Sequence, residues 1–180
     1  MAGRSGPFMI RITGTLVSIQ GRGVLLRGAA GSGKSDTALQ LIERGHPLVA
    51  DDAVDLQRLD GRLTACAPVL GRGLLFIRGI GVVDVATRYG QTAVLASAPL
   101  DLLVDLERTR SPESLEGSWT QETLAGVSVP RLAICPGRPV ASLIVLAARE
   151  CHQPGAGGRA MATRLETALM NTPAEAPLCD

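Results

Sequence analysis

The chain has 180 residues and a mass of 18.7 kDa, the size of one ordinary domain. Hydrophobic residues at 46% against 19% charged supply a core and exclude a disordered chain, and 18 basic against 17 acidic side chains leave only +1, which excludes bulk attraction to nucleic acid or an anionic membrane. Phe8, Phe76, Tyr89 and Trp119 are the whole aromatic set, too few for the stacking platforms of a single-stranded nucleic-acid binder. Residues 9–19 (MIRITGTLVSI) are rich in β-branched side chains and run into Gln20-Gly21-Arg22-Gly23, which predicts a hairpin into Val24-Leu25-Leu26. After glycines 28, 31 and 33, residues 35–44 read as a helix with Ala38, Leu39, Leu41 and Ile42 on one side and Gly45 as its stop. Leu48-Val49-Ala50 is a short buried strand leading into Asp51-Asp52, and residues 54–59 and 63–66 flank the turn pair Asp60-Gly61.

Further short strands are expected at 74–77, 82–85, 93–95 and 102–106. Residues 108–126 read as a polar loop, and 127–134 as a strand that Pro130 partly demotes. Helices are expected at 141–150 and 161–170, joined by the glycine-rich 154–158. With no internal repeat and no linker, the chain reads as one domain over 9–170, with 1–8 and 171–180 as flexible termini.

No apolar run reaches a membrane span, and Gly6, Pro7 and Arg11 interrupt any signal-peptide core, so a cytoplasmic protein without membrane or nucleic-acid partners is expected. Cys66, Cys135, Cys151 and Cys179 form no C-x-x-C, and His46 and His152 are the only histidines, so no zinc site assembles from the usual spacings. Cys151 and Cys179 read as structural, reduced thiols. His46 reads as a capping or packing residue at a helix-to-strand turn, and Trp119 as either a partner anchor or part of a small cluster under a loop.

The strongest signal is Gly28-Ala29-Ala30-Gly31-Ser32-Gly33-Lys34-Ser35, a full G-x-x-x-x-G-K-[ST] set between a predicted strand and a predicted helix. Glycines let the backbone wrap an anion with its N–H groups, and the helix N-terminus adds positive potential. Lys34 is expected to reach the β- and γ-phosphates and the Ser35 hydroxyl to ligate Mg²⁺. Of 18 basic residues 17 are Arg and Lys34 is the one Lys, so the exception falls where a compact ammonium on a thin stem is wanted. A dinucleotide fingerprint fits less well, because it needs no Lys-Ser and expects an acidic residue about 20 positions on. The chain then returns to Asp51-Asp52, a place where two carboxylates can serve Mg²⁺ and general-base work. On a strand the two point to opposite sides, which divides the roles. The residues alone leave open a solvated turn at a strand end, where Asp is common.

The glycine motif, GHPLVADDAV and IRGIGVVDV together resemble the catalytic domain of the HPr kinase/phosphorylase family. The resemblance runs from about residue 9 to about 169, and its form is the short, single-domain one of α-proteobacteria. It implies an α/β P-loop nucleotide-binding domain with a mixed β-sheet and flanking helices. It also implies transfer from ATP or pyrophosphate to a serine of an HPr-like phosphocarrier, reversal by inorganic phosphate, Mg²⁺ as cofactor, and a homo-oligomer, a hexamer in the family. Under it Asp51 is the catalytic base, and the same group returns the proton in phosphorolysis. Asp52 is the neighbouring acid that holds Asp51 or a metal water, and Ser35 and Asp52 face the metal. Arg78, in the IRGIG segment, and Arg138, in the PGR segment, stabilise the transferring phosphoryl or steer the partner. The chain departs from the family at Phe76, where a Glu is usual, at Thr13, where a His is usual, and at Pro139, which replaces an Asn. Phe76 and Thr13 carry the alternative of a nucleotide- or phosphate-sensing module that binds without transferring. A small-molecule kinase fits less well, because no helical substrate lid is visible.

Overall fold

The structure, a computed structural model, describes residues 9–107, 118–136, 138–151 and Thr167. The strands are β1 (Met9–Thr13), β2 (Thr15–Ile19), β3 (Arg22–Arg27), β4 (Leu48–Ala50), β5 (Ala53–Leu59), β6 (Arg62–Cys66), β7 (Leu74–Ile77), β8 (Gly81–Asp84), β9 (Ser97–Leu106), β10 (Trp119–Leu124) and β11 (Val127–Ile134). The α-helices are α1 (Lys34–Glu43), α2 (Val85–Tyr89) and α3 (Val140–Glu150).

The segment predicted as one run from 9 to 19 divides at Gly14. β1 pairs antiparallel with β5, while β2 turns through Gln20-Gly21 to pair antiparallel with β3. The Asp60-Gly61 turn joins β5 to β6 as expected, with both residues at positive φ (49° and 76°), the conformation a two-residue hairpin needs. β9 is the long central strand. β3 runs parallel along one side of it, and the other side carries β6 near its start and β11 near its end, so the sheet curls along the path β1-β5-β6-β9-β3-β2-β4. Pro130 sits just before the stretch of β11 that pairs with β9, where its missing N–H breaks no ladder bond to that strand.

Alternate residues of β2, β3 and β9 feed two cores. Val17, Val24, Leu26, Leu102 and Val104 face α1, α3 and β7, while Leu16, Leu25, Leu100 and Leu103 face the side closed by β5 and β6. The register shifts between Gly23 and Val24, so that Gly23 lies opposite Leu100 and Val24 opposite Leu102, leaving Asp101 as the extra residue of a bulge. Its carboxylate accepts from the Gly23 amide at 3.1 Å. A Cβ at Gly23 falls 1.9 Å from the Pro99 carbonyl oxygen. Gly23→Ala is therefore expected to destabilise the chain by about 1–3 kcal/mol, read as a lower urea midpoint at unchanged slope.

Two expectations are corrected, and one helix is added. Residues 93–95 do not form a strand: Gln91–Ala93 is a 3-10 turn and only Val94 bridges to Leu48. The polar stretch 108–126 contains β10, because β11 offers Trp119–Leu124 a complete antiparallel ladder that polar composition does not reveal. α2 was not anticipated, and it follows from Asp84, whose carboxylate accepts from the Thr87 amide at 2.9 Å as an N-cap. Helix α1 starts and ends one residue earlier than expected, with Arg44 as its C-cap and its last carbonyls taken by the amides of Arg44, Gly45 and His46. The expected helix 161–170 lies outside the described residues, Thr167 apart. No helix among the described residues is long and apolar enough to cross a membrane.

Candidate functional site

The glycine loop runs from the end of β3 to the start of α1, and the sequence places every conformational demand on a residue that meets it. Gly28, Gly31 and Gly33 all hold positive φ (146°, 79° and 92°). At Gly28 space matters as well, since a Cβ there would lie 2.6 Å from the Ser32 hydroxyl and 2.8 Å from the Leu106 carbonyl. Gly33 caps α1 without a side chain, which leaves the first-turn amides open to a ligand. Lys34 folds back over the loop and donates to the carbonyls of Gly28 (2.9 Å) and Ala29 (3.1 Å), so its ammonium is held against the loop.

Asp51 arrives from β4, which pairs with β2 and not with β3, so β2 lies between the two halves of the site. The intervening strand contributes a group that sequence reading missed. Thr15, opposite Leu26 and beside the Leu16–Ala50 pair, donates its hydroxyl to Asp51 Oδ1 at 2.7 Å. The same oxygen lies 3.5 Å from the Ser35 hydroxyl, and Oδ2 accepts the backbone N–H of Phe76 at 2.9 Å. Asp51 is thus half-buried and fixed from three sides. Asp52 is exposed at φ 64°, its carbonyl taken by the Gly14 amide, in a tight turn closed by the bond from the Ala53 amide to the Asp51 carbonyl. Thr13 lies exposed opposite Ala53 on β1, at the edge of the same turn.

These groups line one cleft of about 410 Å³, formed by Ala30, Gly31, Gly33, Lys34, Ser35 and Asp36 on the loop side, Asp51 and Asp52 facing them, and Phe76 and Arg78 from β7 and its turn. The Arg78 guanidinium lies over Gly31, with Nη1 3.3 Å from where a Cβ would stand. Gly28, Ala29 and Ser32 open instead onto an adjoining hollow of about 710 Å³ shared with Leu106 and Glu107. The Ser32 hydroxyl is buried without a hydrogen-bond partner. Arg138 is not brought in: it is exposed ahead of α3 and lines neither space. His46 takes a helix carbonyl through its amide, and burial followed by the nearby Arg44 and Arg149 holds its imidazole pKa below the ordinary value. Trp119 is half-buried against the helical core, and Cys151 is buried with its thiol pushed up by desolvation.

A second feature escaped the sequence reading. Arg27, the last residue of β3 before the loop, makes paired bonds to Asp105 (2.7 and 3.0 Å) and to Glu122 (2.7 and 2.7 Å). Arg131 also binds Asp105 and reaches Glu107 at 3.1 Å. Burial pushes the Asp105 carboxyl up, but the two guanidiniums outweigh it and hold the group below the ordinary carboxylate range. The signal in the sequence was Asp105 itself, a charge inside the apolar run DLLVDL.

No group of three His, Cys, Asp or Glu among the described residues could cage a metal. Mg²⁺ does not need one, since it keeps most of its waters and phosphate ligands and takes one or two protein oxygens. Ser35 Oγ and Asp51 Oδ1, side by side, with Asp52 at the rim, are oxygen donors of the right kind.

Residues 8–172 match the family model described as HPr Serine kinase C-terminal domain. HPr kinase/phosphorylase of Clostridium acetobutylicum is 41% identical over 143 residues, covering 77% of this chain and 47% of the relative. The protein of the same name from Clostridium kluyveri is 38% identical over 143 residues, covering 77% and 46%. The chain spans a little under half the length of these curated relatives. The solved structure of the Hpr(Ser) kinase/phosphatase from Coxiella burnetii aligns with a TM-score of 0.74 at 28% identity, over 88% of this chain and 99% of that one.

Proposed function

The chain belongs to the HPr serine kinase C-terminal domain family, and on that premise we propose that it transfers a phosphoryl group from ATP to a serine of an HPr-like phosphocarrier protein. The observation that carries this reading is the fixed Asp51 carboxylate facing Ser35 across the mouth of the glycine loop. Lys34 and the open amides of the loop and of the first turn of α1 hold the phosphates. Ser35 and Asp52 would hold Mg²⁺, which would offset charge on the phosphate oxygens. Asp51 takes the proton of the acceptor hydroxyl as its oxygen bonds to phosphorus, and Arg78, lying over Gly31, stabilises the equatorial oxygens. In the reverse direction, with inorganic phosphate, Asp51 returns that proton to the serine.

A second reading, binding without transfer, is favoured by Phe76, an apolar residue at the cleft in the position where the resemblance implies a Glu. One assay separates the two: label from ATP in the presence of Mg²⁺, this chain and an HPr-like carrier. Transfer is expected to appear on the carrier serine and to fall about 10²-fold or more in Lys34→Ala. Tight ATP binding without any label establishes the sensor instead.

A further inference from the structure

The exposed apolar surface is concentrated in one segment. Of the eleven large hydrophobic side chains exposed among the described residues, eight lie from Val69 to Leu95. The β7–β8 ribbon explains the core of this concentration. Leu75 and Ile77 point inward and are buried, while Leu74, Phe76 and Val82 point outward, with Phe76 directly opposite Val82 in the antiparallel pair. Phe76 is 56% exposed, Val82 67%, and Ile80 at the turn 74%. Between residues 74 and 84 only two charges occur, Arg78 at the cleft and Asp84, which is engaged as the α2 cap. A contiguous apolar face of this kind marks an interaction site.

Its position selects the occupant. Phe76 and Arg78 line the cleft beside Asp51 and Asp52, and the Phe76 amide is bonded to Asp51, so the ribbon's outer face is continuous with the mouth of the site. Directly opposed side chains on a ribbon stand about 5 Å apart. A serine delivered to Asp51 on a folded protein therefore brings its neighbours over Phe76 and Val82. A nucleotide does not match this face, whose residues 74–84 carry no cation for a phosphate beyond Arg78. A second copy of the chain seated here closes the mouth against any serine. We propose that the outer face of the β7–β8 ribbon docks the acceptor protein through apolar side chains that flank its serine, an inference that rests on the transfer reading above.

The test is steady-state label transfer by the full chain, varying the HPr-like carrier, with Ile80→Ser and Val82→Ser. Each variant is expected to raise KM for the carrier about five- to tenfold, with kcat at saturating carrier and nucleotide affinity within about twofold of the parent. An unshifted KM overturns the docking surface while leaving the transfer reading intact. So does a change in oligomeric mass in sedimentation without a KM shift, which makes the face a contact between copies. Loss of nucleotide binding in both variants assigns the ribbon to the fold and likewise overturns it. No label on the carrier with the parent chain overturns both proposals together.

Discussion

Asp51→Asn is expected to slow phosphoryl transfer to the carrier by about 10²–10⁴-fold, the range for removing a positioned general base. The variant is informative because the amide fits the site. Oδ1 of the replacement can accept the Phe76 N–H, and its NH₂ can then donate to Thr15, whose hydroxyl rotates to accept. The three-sided hold on residue 51 survives, so stability and nucleotide affinity are expected to stay close to the parent while the proposed proton acceptor is gone. Label transfer under single-turnover conditions, alongside Asp52→Asn, assigns the roles. If Asp52→Asn carries the larger loss, the exposed carboxylate is the base and Asp51 serves the metal side.

Asp105→Ala is expected to destabilise the chain by about 3–5 kcal/mol in urea unfolding at pH 7, the range for removing one partner of a buried ion pair. Two guanidiniums converge on this carboxylate, whose side chain is 8% exposed, and its loss sets Arg27 against Arg131 with only Glu122 and Glu107 to separate them. The sign of the pH dependence follows from the depressed pKa. A carboxyl held below its unfolded value contributes stability in full above the ordinary range near about pH 4, and the contribution is lost as pH falls through the native value. Glu122, held down first by Arg27, adds in the same direction. The parent is therefore expected to lose stability steeply in acid, and Asp105→Ala to show a shallower slope. An equal acid slope in both would remove Asp105 from the account.

The local parts of the site were legible because each rests on short-range chemistry. The glycine loop, the helix after it, the Gly45 stop and the Asp60-Gly61 hairpin are written in consecutive residues. What joins them was not legible. Thr15 holds Asp51 only because β2 lies between β3 and β4, and the expected strand–loop–helix–strand unit contains no sign of that intervening strand. β10 was hidden for a similar reason, since a polar strand is stabilised by its ladder with β11 and not by burial. Arg138, carried by resemblance alone, is exposed and is not among the residues that line the cleft, whereas Arg78 is.

The order of groups along the chain also bears on synthesis. Every residue lining the cleft lies between 30 and 78, whereas the strand that flanks β3 on its far side spans Ser97–Leu106 and the arginine-binding carboxylates lie at 105 and 122. At about 5–20 residues per second, the half that lines the cleft leaves the ribosome between about one and nine seconds before its support. Until β9 arrives, β3 has only the β2 hairpin to hold it, and Arg27 at the root of the loop has no counter-charge. The residues that line the cleft are therefore synthesised before the strand and the carboxylates that brace it.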